Sequence, residues 1–130
     1  MKKFLLFSLA VLLFSCDKDD CTKEQFVGTW EGTFTCTFYG SGEVVVDITS
    51  GSGSKLIISE EAGTNNPQFF YSDELKHDGC SAELKETILG TGATHNASLS
   101  SDGKILTLEY TVSALGVSSE DCTYVLELKQ

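Results

Sequence analysis

The sequence predicts an all-β domain, an eight-stranded antiparallel up-and-down barrel preceded by a short helical turn. Three observations predict it. From Gln25 onward no window sustains a helical period, while period-2 and apolar runs recur to the end of the chain. Clusters rich in glycine, serine and asparagine separate those runs, and the only proline, Pro67, sits in one of them. Serial short strands joined by tight turns favour hairpins over parallel crossovers, and an even number of hairpins can close into a barrel that has no exposed edge.

Thr22-Lys23-Glu24-Gln25 matches a capping box, which sets one short turn of helix before the first strand. Strands are expected at about 27–39, 43–50, 54–60, 68–72, 80–89, 94–100, 104–113 and 121–129. Gly40-Ser41-Gly42, Gly51-Ser52-Gly53, Gly63-Thr64-Asn65-Asn66-Pro67, Gly90-Thr91-Gly92 and Ser101-Asp102-Gly103 supply turn residues between them. Alternation assigns the faces. In the first strand Trp30, Gly32, Phe34, Cys36 and Phe38 lie opposite Thr29, Glu31, Thr33, Thr35 and Thr37. In the seventh, Leu106, Leu108, Tyr110 and Val112 face inward, and in the last Cys122, Tyr124, Leu126 and Leu128 do. A one-residue slip would turn each set inside out, so the pairing is well specified.

The first sixteen residues follow a different logic. Lys2 and Lys3 open a mostly apolar run that ends at Ser15-Cys16, and the run is shorter than the roughly 20 apolar residues a spanning helix needs. Leu13-Phe14-Ser15-Cys16 resembles the lipobox of bacterial lipoprotein signal peptides. That resemblance implies removal of residues 1–15 and lipidation of Cys16, with residues 16–24 as an acidic tether and residues 25–130 as the barrel domain. Asp17-Lys18-Asp19-Asp20 looks like the export tags of surface lipoproteins in some Gram-negative groups, which favours the outer membrane. An Asp directly after the lipidated Cys instead signals inner-membrane retention in enteric bacteria.

The full chain has 9 Lys+Arg against 19 Asp+Glu, a formal charge of −10, and loss of Lys2 and Lys3 with the signal takes it to −12. Such a surface repels phosphate backbones and excludes nucleic acid as a partner. It is compatible with attraction to a basic protein or a cationic ligand. If lipid occupies Cys16, four cysteines remain, Cys21, Cys36, Cys80 and Cys122, an even set that suits two disulfides outside the cytoplasm. No CxxC pair is present, which disfavours structural zinc and thioredoxin-like redox chemistry.

Phe26-Val27-Gly28-Thr29-Trp30-Glu31-Gly32 is similar to the G-x-W opening of lipocalins and small bacterial lipocalin-like domains, and Tyr124-Val125-Leu126-Glu127-Leu128-Lys129 is similar to their closing strand. The resemblance covers roughly residues 22–130. It implies that Trp30 plugs the closed end of the barrel, and that the first and last strands pair with Trp30 near Leu128. This in turn implies disulfides Cys36–Cys122 and Cys21–Cys80. The chain departs from the family in its shortness and in having no C-terminal helix.

The residues do not assemble an enzyme site or a metal centre. His77 and His95 are 18 residues apart, with no HxH or HxxxH companion, and His77 reads as part of a solvated loop. Glu60-Glu61 and Asp73-Glu74 read as solvated loop charges, since the alternating ligands of a calcium loop are absent. His95 shares inward parity with Ala97 and Leu99, and Glu86 with Ala82 and Leu84. The two are expected either to meet inside the barrel or to splay to water at its end. Phe34, Phe38, Phe69 or Phe70, Tyr71, Tyr110 and Tyr124 either fill the core or line a pocket, since an eight-stranded interior holds side chains or one small ligand. Phe38, Tyr110, His95, Glu86 and Tyr71 are the candidate lining residues. The expected function is a non-enzymatic, lipid-anchored envelope protein that binds a small apolar or amphipathic ligand without a cofactor. The alternatives are a protein-binding barrel, such as a lysozyme inhibitor, and a filled structural lipoprotein.

Overall fold

A computed structural model describes residues 20–61, 68–88, 90–114 and 117–130, with the side chains of residues 88, 114 and 117–119 left aside. The signal segment, Cys16 and the tether as far as residue 19 lie outside the described residues. So does the expected turn at 63–67.

The chain forms α1 (Lys23–Phe26), then β1 (Gly28–Cys36), β2 (Gly40–Ser50), β3 (Lys55–Glu60), β4 (Asp73–Asp78), β5 (Ser81–Ile88), β6 (Thr91–Leu99), β7 (Ile105–Ala114) and β8 (Val117–Leu128). Each strand pairs with the next, and β8 returns to β1, so the sheet is a closed antiparallel up-and-down barrel. The expected fold class is therefore the observed one. The closing register sets Trp30 against Leu128 and Cys36 against Cys122. Disulfides join Cys36 to Cys122 and Cys21 to Cys80.

Inward parity builds the core. Trp30, Phe34, Val46, Ile48, Leu56, Ile58, Leu75, Leu106, Leu108, Tyr124 and Leu126 are all buried. Gly32 belongs to this face for a specific reason. A Cβ there would sit 2.0 Å from the Val125 carbonyl oxygen, so glycine lets β8 approach β1 closely enough to close the barrel.

At the end where β1 begins, Phe26 and Trp30 are wholly buried, and the Trp30 indole N–H donates to the Phe26 carbonyl at 2.9 Å. The Gln25 side chain accepts from the Thr22 N–H at 2.7 Å, the reciprocal arm of the capping box. The Lys23 ammonium donates to the carbonyls of Gly51 and Gly53, both at 2.7 Å, and so ties α1 to the β2–β3 turn. Cys21 is buried and bonded to Cys80, which fixes the chain just before α1 to the start of β5.

Two expectations fail in the same stretch. The fourth strand is not 68–72 but Asp73–Asp78, and residues 68–70 instead run without strand structure. His77 accordingly stands in β4 and not in a solvated loop. It is half-buried, its Nε2 lies 3.1 Å from the Cys21 carbonyl oxygen, and its ring meets the edge of Phe26 at 5.4 Å.

Candidate functional site at the open end of the barrel

The opposite end is formed by the last residues of β1, β3, β5 and β7 and the first of β2, β4, β6 and β8. Here the segment after the loop folds across the mouth. The Gln68 amide donates to the Glu60 carbonyl at 2.8 Å, and the Glu60 N–H donates to the Phe70 carbonyl at 2.9 Å. The Phe69 and Phe70 N–H groups both donate to the Glu60 carboxylate, and the Tyr124 hydroxyl donates to its other oxygen at 2.8 Å. These bonds explain why 68–72 is no strand: its main-chain donors are taken by a side chain in the barrel, not by a neighbouring strand.

Phe70 is thereby driven fully inside, edge-on to His95 at 5.1 Å and to Tyr124 at 5.5 Å. Phe69 stays half-buried and stacks on Tyr110 with ring centroids 4.7 Å apart, while Tyr39 meets Phe69 edge-on at 5.5 Å. The His95 ring lies 4.9 Å from that of Tyr110.

Electrostatics at this end are unusual. Glu60 is only 7% exposed, and burial holds its carboxyl above the usual range. The bonds from Tyr124, Phe70 and Phe69 oppose that shift, and the nearby Asp73 charge adds to it. Tyr110 is also pushed up, by burial first and then by Asp73, Glu86, Tyr39 and Glu120. Tyr124 moves in the same direction through burial and the Glu60 charge. Glu120 is buried too, with its two oxygens each 3.1 Å from the Phe38 N–H.

His95 is 4% exposed. Its Nε2 faces the Phe69 carbonyl at 3.1 Å, and since a carbonyl only accepts, Nε2 carries the proton. The Asp73 carboxylate, 3.7 Å away, favours the same tautomer. In the neutral ring Nδ1 is then a bare acceptor, and it is buried and without a hydrogen-bond partner among the described residues. Such a group costs about 1–3 kcal/mol of stability unless something bonds it.

The expected lining residues divide. His95 and Tyr110 stand in the mouth. Phe38 and Tyr71 do not line an interior: they are 63% and 66% exposed and project from the rim, because each lies just outside a strand end. Glu86 keeps inward parity, opposite Ala93, but is exposed near the end of β5, so the pairing with His95 does not form. Glu60 and Asp73, expected as solvated charges, are instead part of the site. Their signal was present: Glu60 shares parity with Leu56 and Ile58, Asp73 with Leu75, and Glu120 with Cys122 and Tyr124.

His95 Nε2 faces a carbonyl and not a nucleophile, so no general-base pair is formed there. Cys36, Glu120 and Cys122 offer atoms within 4.8 Å of one another, but the two sulfurs are joined in a disulfide and have no thiolate to give a metal. A depression on the outer wall of β4 and β5, bordered by Lys76, Asp78, Ser81, Ala82 and Glu83, has mixed charge and lies away from this end. Among known proteins, no family model and no curated protein matches this sequence.

Proposed function

We propose that this is a lipid-anchored, lipocalin-like protein of a Gram-negative envelope, held in the outer membrane through Cys16, which binds a small amphipathic molecule at the open end of its barrel and is not an enzyme. One observation carries the ligand reading. A half-buried aromatic stack, Phe69 on Tyr110, sits beside a buried imidazole nitrogen that lacks a partner. Apolar faces with one or a few convergent polar atoms are the usual composition of small-molecule sites. The anchor reading rests on the lysines, apolar run and Cys16 of the first sixteen residues.

A protein-binding role is the second reading, supported by three exposed aromatics at the same end, Phe38, Tyr39 and Tyr71. Native mass spectrometry of the full chain, extracted from its own membrane in mild detergent, separates the two. Ligand carriage predicts a retained small mass, and a basic protein that co-purifies in its place favours the second reading. A barrel recovered bare in every preparation defeats both. Cys16→Ser should leave the chain without its diacylglyceryl mass and release it from the outer-membrane fraction.

A further inference from the structure

The described residues that reach the open end, 37–43, 60–61, 68–73, 86–88, 90–94, 111–114 and 117–121, contain seven carboxylates and no lysine or arginine. Three of the described lysines are engaged elsewhere, Lys23 on the β2–β3 turn, Lys55 with Glu74 and Lys85 with Glu83 on the outer wall. Three of the open-end carboxylates, Asp73, Glu86 and Glu120, come from different strands and all act on the Tyr110 hydroxyl. Phe69 lies over the Tyr110 ring, and Tyr39 meets Phe69 edge-on. Carboxylates around half-buried aromatic rings form a site for positive charge, because both the negative ring faces and the acids attract a cation. An anion would be repelled, and a neutral molecule would leave the acids uncompensated.

His95 supplies the independent constraint. In the neutral imidazole, with the proton on Nε2 against the Phe69 carbonyl, its buried Nδ1 accepts and cannot donate. A ligand that satisfies it must bring an N–H or O–H. A protonated amine brings both the charge and the donor, whereas a quaternary ammonium brings the charge alone.

Building on the ligand-carriage reading, we infer that the open end binds a small organic ammonium ion, a protonated primary or secondary amine bearing an apolar group. The cation sits against Phe69 and Tyr110, with Asp73 and Glu120 as its counter-charges and His95 Nδ1 accepting one N–H. The apolar group occupies the aromatic mouth.

Calorimetric titration of the full chain in a non-ionic detergent at pH 7 tests this with four probes: 2-phenylethylamine, its trimethylated form, 2-phenylethanol and 3-phenylpropanoate. The amine should bind about tenfold tighter than the alcohol, the carboxylate should not bind, and Asp73→Asn should weaken the amine about tenfold while leaving the alcohol unchanged. Glu120→Gln gives a second reading of the same effect should Asp73→Asn disturb the fold, which near-ultraviolet circular dichroism reports. Alcohol binding equal to that of the amine, or an amine affinity indifferent to both substitutions, overturns the cation site while ligand carriage stands. A trimethylated probe as tight as the amine overturns the part given to His95. If no probe binds, the ammonium site is refuted, and carriage is judged by the co-purified mass alone.

Discussion

The two ends of this barrel are built on the same strands but to opposite standards. At the closed end these buried and half-buried polar groups find partners: the Trp30 indole with the Phe26 carbonyl, the Lys23 ammonium with two turn carbonyls, and the His77 ring with the Cys21 carbonyl. At the open end a glutamate is buried against its preference for water, an imidazole nitrogen is left without a partner, and three aromatics face solvent. Each of these features costs stability when considered alone. Under the proposed function, the closed end supports the fold and the open end is the one that serves recognition.

Core truncation gives the widest separation between the ends. Trp30→Ala empties the plug of the closed end and strips the Phe26 carbonyl of its donor, so it should cost about 3–5 kcal/mol in urea unfolding. Phe69→Ala removes a ring that is only half-buried, and should cost about 1–2 kcal/mol. Equal losses would break the division of labour drawn here. The disulfides sharpen it by being indifferent to it. Replacing both members of either bridge with alanine should cost about 2–5 kcal/mol, because the bridge acts mainly by restricting the unfolded chain. The sequence separations, 59 for Cys21–Cys80 and 86 for Cys36–Cys122, differ too little to matter. Loop entropy makes the second larger by only about 0.3 kcal/mol. A much larger loss for the open-end bridge would mean that this end also carries native-state stability.

What could be read from the chain follows the same line. The closed end and the closing register were legible in two steps: alternation sorts Trp30 to Cys36 and Cys122 to Leu126 into inward-facing sets, and the resemblance of the two end motifs implied the register that sets Trp30 near Leu128. The open end was legible only in pieces. Parity places Glu60 with Leu56 and Ile58, yet the neighbouring Glu61 and the acidic composition invite a solvated reading. β4 was hidden because Leu75 is its only buried side chain among alternating charges, whereas Gln68 to Tyr71 has the apolar look of a strand. What decides between them is the Glu60 carboxylate capturing two main-chain donors eight or more residues away, together with the left-handed Ser72, φ 56°, that turns the chain into β4. That contact is not local and leaves no periodic trace.

The smallest effect is a difference in pH response between the ends. Glu60 has a folded pKa above the ordinary 4.5, so between these values the folded chain binds more protons than the unfolded one. Its contribution is fully present below 4.5 and is lost as pH rises through the folded value. Asp102, in the β6–β7 turn at the closed end, has the opposite sign. The Ser100 hydroxyl and the Lys104 N–H bond its carboxylate and hold it below the ordinary 3.8, so its contribution is present above that value and fades as pH falls through the folded one. Urea midpoints measured from pH 7 downward should therefore rise more in the native chain than in Glu60→Gln as pH approaches 4.5, and Asp102→Asn should follow the native chain over that range. Below 3.8 the order changes: the native chain should lose stability relative to Asp102→Asn, while Glu60→Gln tracks it. If Glu60→Gln kept the full upward response, the buried carboxylate would not be the proton-linked group of the mouth, and the contrast between a satisfied end and a costly one would have to rest on His95 alone.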